Sequence, residues 1–214
     1  MKKVLSCAVL CLLVSIVAAA QQSNPARAHM GHVLDAMNGT PDGAGLLPTA
    51  MAEAAIAEQH AGLAAKMSGD LDAMKRHAGH VLHAVDPSAE AQGPGKGYGV
   101  KKAAAGIGTH IGLAAASEGA SDNVKMHATH VAGAAESVVK RCDEIAALVS
   151  QIRAAASAAD AAPLATKLHD LARQLTAGAD ANGDGRIGWQ APEGGLAQAQ
   201  QHMGFMAAGE GGLR

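Results

Sequence analysis

Only three aromatic side chains, Tyr98, Trp189 and Phe205, occur in 214 residues, against 51 alanines and 26 glycines. A sandwich or barrel draws its core from β-branched and aromatic residues, and this chain cannot supply enough of them. Alanine is the strongest helix former, so the expected class is all-α. With 49% hydrophobic and 17% charged residues the chain does not read as disordered. Its core must come from Leu, Val, Ile, Met and Ala. Because each Ala buries little area, stability should be modest unless a ligand or metal adds to it.

The first twenty residues read as a leader rather than as fold. Met1-Lys2-Lys3 is a short basic start, Val4 to Val17 is apolar, and Ala18-Ala19-Ala20 has the small-residue pattern of a signal-peptidase site. The run is too short for the roughly 20 residues of a membrane span. The expectation is a periplasmic or secreted protein cut near Ala20, with a helical bundle over 21–178 and a separate ion-binding loop and tail over 179–214. The formal charge of −2 becomes more acidic once Lys2 and Lys3 are gone, which disfavours nucleic acid as a partner. Cys7 and Cys11 leave with the leader, so Cys142 has no disulfide partner and reads as a small buried hydrophobe. Covalently attached haem is excluded by the lack of Cys-x-x-Cys-His.

Eleven histidines fall into a pattern. His29-Met30-Gly31-His32-Val33, His77-Ala78-Gly79-His80-Val81 and His127-Ala128-Thr129-His130-Val131 read alike, each with Ala three residues after the Val. His60-Ala61-Gly62-Leu63-Ala64-Ala65 matches His110-Ile111-Gly112-Leu113-Ala114-Ala115. The spacing predicts an internal repeat of about 50 residues, each unit a helix hairpin bearing two His segments. Turn and cap signals place helices at about 26–38, 48–67, 70–85, 98–117, 121–156 and 161–177. The predicted architecture is an antiparallel helical bundle of these hairpins. On helices the paired histidines share a stripe with Val33, Val81 and Val131, which predicts that they point inward.

A lone inward His is usually a core residue with a hydrogen-bond partner. Eight in a repeat, with few carboxylates on their stripes, are costly to bury unpartnered. Neutral imidazole is the commonest metal ligand, and His at i and i+3 can grip one ion while a facing helix supplies a third donor. The expected sets are His29, His32 and His60; His77, His80 and His110; and His127 and His130 with an unassigned partner. His83, His169 and His202 read as surface or structural residues, His202 lying in the tail. The ions expected are Cu, Zn or Ni, with methionines such as Met30, Met67 and Met126 favouring Cu(I) if they take part and otherwise filling the core.

These small-residue helices with recurrent His, over 97–155 and more loosely 26–90, resemble the small metal-binding protein family. The resemblance implies an exported, His-rich four-helix bundle that binds several divalent ions, copper in particular, for buffering or storage. The present chain is longer, has fewer His per helix and carries an extra C-terminal element.

Asp180-Ala181-Asn182-Gly183-Asp184-Gly185-Arg186-Ile187-Gly188 matches the first nine positions of an EF-hand loop. Asp180, Asn182 and Asp184 would offer side-chain oxygens and Arg186 its carbonyl to Ca2+. Position 12 is Ala191 where a bidentate Glu belongs, so Glu193 is the nearest candidate to complete the shell. The plain alternative is an Asx/Gly turn. No catalytic constellation is present: neither G-x-S-x-G nor H-E-x-x-H occurs, and the expectation is a protein that is not an enzyme. Two other functions compete with transition-metal binding. One is a haem b bundle, with facing His pairs as axial ligands and glycines making room for the macrocycle. The other is a helical interaction module that binds calcium alone.

Overall fold

A computed structural model describes residues 24–212; the leader lies outside the described residues. Among them, seven α-helices pack antiparallel: α1 (Pro25–Leu34), α2 (Leu46–Lys66), α3 (Leu71–Val85), α4 (Val100–Ala116), α5 (Asp122–Ala154), α6 (Ala158–Ala177) and α7 (Leu196–Gly209). Their starts have local causes. Asn24, Asp70, Ser121 and Ser157 each accept a hydrogen bond from a first-turn backbone N–H, and Pro25 follows the first of these caps. The first six predicted helices are found within a few residues of their expected bounds. The seventh falls in what read as a tail.

At 33 residues, α5 is about 50 Å long and serves as the spine. It packs against α3, α4, α6 and α7, while α2 pairs with α3 and α6, and α1 lies on α4. Small side chains make this possible: Ala50, Ala54, Ala57 and Ala61 form a fully buried row on α2, against larger residues such as Ile107, Ile111 and Leu168. Leu196, Ala199, Met203 and Met206 of α7 join the same continuous core. No helix among the described residues is long and apolar enough to cross a membrane.

Two buried charged groups tie the connections to the bundle. Glu53 on α2 is fully buried and accepts from the backbone N–H groups of Lys96 (3.0 Å), Tyr98 (2.9 Å) and Gly99 (3.1 Å). The glycine-rich loop before α4 is thereby pinned through its backbone N–H groups. Glu53→Gln keeps the shape but turns an amide N–H toward one of those donors. It is expected to cost about 1–3 kcal/mol in urea unfolding, with the secondary structure unchanged by circular dichroism. Arg141 on α5 does the converse. Its buried guanidinium donates to the carbonyls of Gln174 (3.0 Å), Pro192 (2.6 Å), Glu193 (3.3 Å) and Gly194 (2.8 Å). That clamp sets where the chain enters α7.

Candidate metal centres

Nine of the eleven histidines gather into three triads: His29, His32 and His110; His60, His77 and His80; His127, His130 and His202. Each is built alike. One helix supplies two His at i and i+3, and a facing helix supplies the third. In the first triad the His110 Nδ1 lies 3.1 Å from His29 Nδ1 and 3.3 Å from His32 Nδ1. In the second, His60 Nδ1 lies 3.0 Å from His77 Nδ1 and 3.3 Å from His80 Nδ1. In the third, His202 Nδ1 lies 3.1 Å from His127 Nδ1 and 3.3 Å from His130 Nδ1.

The placement follows from one rule of sequence. Each of the nine is followed by a fully or nearly fully buried residue: Met30, Val33, Ala61, Ala78, Val81, Ile111, Ala128, Val131 and Met203. One residue is about 100° of helix rotation, so a His just before a core position sits at the edge of the helix–helix seam. The histidines are accordingly half-buried, at the rim of the core and not inside it as their stripes implied. Half-burial suits ligation. The rings are held by packing, yet an ion can reach them.

The triads correct the expected pairings. His60 belongs with His77 and His80, and His110 with His29 and His32; the sequence reading had exchanged them. The short turn between Lys66 and Leu71 folds α2 back on α3, leaving His60 and His77 equally far from it. His110 instead meets α1, because α4 packs between α1 and α5. The missing partner of His127 and His130 is His202, which lies on α7 and not in a tail. A signal for it was present: His202-Met203-Gly204-Phe205-Met206 has the spacing of His60-Ala61-Gly62-Leu63-Ala64 and His110-Ile111-Gly112-Leu113-Ala114. In all three the residues three before, one after and four after the His are buried.

Burial, before any other cause, holds His60, His77, His80, His110, His130 and His202 below the usual imidazole range, and neighbouring rings or Arg76 press the same way. Neutral rings with unprotonated nitrogens are what a metal requires. A bond of about 2.0–2.1 Å from each nitrogen to one ion spans gaps of this size at an angle of about 100°, leaving a fourth position open. Donor atoms this close leave no space for a porphyrin between them, so the geometry suits single ions and not haem.

The remaining histidines are elsewhere. His83 is buried, its ring Nδ1 2.8 Å from the Glu90 carbonyl oxygen, and His169 packs beside Gly62. Cys142 is buried, burial pushes its thiol well above the usual range, and it is not grouped with other donors among the described residues. The loop from Asp180 turns on its own side chains. Asp180 accepts from the N–H groups of Gly183, Asp184 and Gly185, Asn182 from Asp184, and Asp184 from Arg186. Glu193 is buried and accepts from Gly188 N–H (2.8 Å), so its carboxylate closes the segment. Asp180, Asp184 and Glu193 do not come together as a set of three donors.

No protein-family model matches this chain, and no curated protein or solved structure shows significant similarity to it. The structure thus defines a class, an all-helical protein with three histidine triads positioned to hold metal ions.

Proposed function

We propose that this is an exported protein that sequesters or buffers divalent transition metals, Cu, Zn or Ni, one ion per triad, without catalysing a reaction. The observation that carries the reading is the threefold recurrence of the same convergence, with Nδ1 atoms 3.0–3.3 Å apart at three separate places. A single cluster of rings can arise from packing; three with the same donor atom and spacing point to a common ligand. All-nitrogen donor sets without carboxylates suit borderline ions over calcium or magnesium. Export rests on the leader-like residues 1–20. A repeated helix hairpin accounts for the recurrence of the His segments. The loop from Asp180 to Gly188 is assigned to Ca2+ in a structural role, with Asp180, Asn182, Asp184 and the Arg186 carbonyl as its donors.

The test is elemental analysis of untagged protein from residue 21 onward, after exposure to each ion and desalting. The expected result is three transition-metal ions per chain, plus calcium that is lost in Asp180→Ala. Retention of calcium alone would assign the histidines to structure and overturn the reading.

A further inference from the structure

The three triads are alike in donors but not in surroundings. Two of the chain's three aromatic side chains pack on one of them. The Trp189 ring lies nearly parallel on His130, with centroids 4.2 Å apart and planes 29° from each other. Phe205 flanks the other two ligands, 5.6 Å from His127 and 5.8 Å from His202. Among the described residues, the rings of the first two triads pair with no Phe, Tyr or Trp ring, only with one another's imidazoles. We propose that the third triad fills first and empties last, and that Trp189 is the positioning residue that gives it this rank. The proposal rests on the reading of the triads as transition-metal sites.

Three physical effects support it. First, a ring held on its face has lost its rotational freedom before the ion arrives, so binding sacrifices less entropy. Second, ligation draws electron density from the imidazole, and an electron-poor ring stacks more strongly on the negative face of an indole. Third, the apolar shell around a metal site controls how far water reaches it and lowers the local dielectric.

Trp189 is itself firmly placed. Gly133 on α5 lets it approach, since a Cβ there would lie 3.1 Å from both the indole ring and the Trp189 carbonyl oxygen. A few residues further on, the Arg141 clamp holds the carbonyls of Pro192, Glu193 and Gly194. The same segment leads directly into α7 and His202. The first two triads, without such support, form a readily exchanging pool, and the third retains its ion when supply falls.

Trp189 is the chain's single tryptophan, so the site carries its own reporter. The unaltered chain from residue 21 onward is titrated with Cu(II) at about pH 7.5, where free imidazole is neutral. Fluorescence and bound copper are followed together. Indole emission should fall over the first equivalent and stay level while two further equivalents bind. In a His60→Ala/His110→Ala background, which leaves the third triad intact, Trp189→Ala should weaken copper affinity by about tenfold or more in chelator competition. Trp189→Phe should retain most of the affinity. Three ions bound with quenching spread evenly over all of them, or a Trp189→Ala variant of unchanged affinity, overturns the ranking alone. No copper bound at any triad overturns the metal reading and the ranking with it.

Discussion

His110→Ala should bind two transition-metal ions where the unaltered protein binds three, and the ion lost should be the one held by His29 and His32. The largest expected effect is therefore a pattern of non-additivity. His29→Ala/His32→Ala and His110→Ala should each remove one ion, and all three changes together should remove no more. His60→Ala added to His110→Ala should remove a second. The reason is geometric. His110 Nδ1 is within 3.3 Å of both α1 ligands, and among the described residues no other His, Cys, Asp or Glu is grouped with that triad. Groups that share one site are strongly coupled, whereas groups in separate sites add independently. The rings are half-buried at a seam lined by Ala and Ile, so losing one should leave the fold intact. Equilibrium dialysis with elemental analysis decides it. If His29→Ala/His32→Ala and His60→Ala removed the same ion, the α1–α4 pairing described here would be wrong.

Metal should also stabilise the fold strongly at neutral pH and hardly at all at pH 5. At 100 times the dissociation constant each ion contributes about 2.7 kcal/mol. A protein of this size gains about 2–4 °C in Tm per kcal/mol, so three ions should raise it by more than about 10 °C. The pH dependence has a definite sign. Six triad histidines are held below the usual range in the folded state, mainly by burial. Just below the unfolded value of about 6.5 the unfolded chain thus carries more protons, and stability rises with pH. Their contribution is complete above about pH 6.5 and is lost as pH falls toward the lowered folded values. Ligation runs the same way, because a protonated ring offers no lone pair. Calorimetry with and without a chelator should show the metal-dependent rise in Tm shrinking toward zero between about pH 7 and 5. A rise that persists undiminished at pH 5 would implicate carboxylates and not imidazoles.

Much of this was legible because it is local. Alanine content and the scarcity of aromatics selected helices, and caps such as Asp70 and Ser121 marked where two of them begin. The repeated pattern of His followed by a core residue put donors at a constant angle from each helix's buried face, a property of helix periodicity alone. His202, which reads as a tail residue, lies on α7. Gly204 and Gly209 lie inside α7, where the burial of Leu196, Ala199, Met203 and Met206 outweighs their low helix propensity.

What each pair of donors would meet was not local. The spacing from His60 to His77 equals that from His110 to His127, yet one pair shares a triad and the other does not. Equal spacings behave differently because α3 is the neighbour of the His60 edge of α2, whereas the His110 edge of α4 faces α1. That choice depends on how seven helices bury their apolar faces together, a sum over long-range contacts that no segment contains. The sequence by itself determined six of the seven described helices and eight of the nine triad donors. Only the packing decided which third imidazole closes each triad, and that the one closed by His202 is the one walled by Trp189 and Phe205.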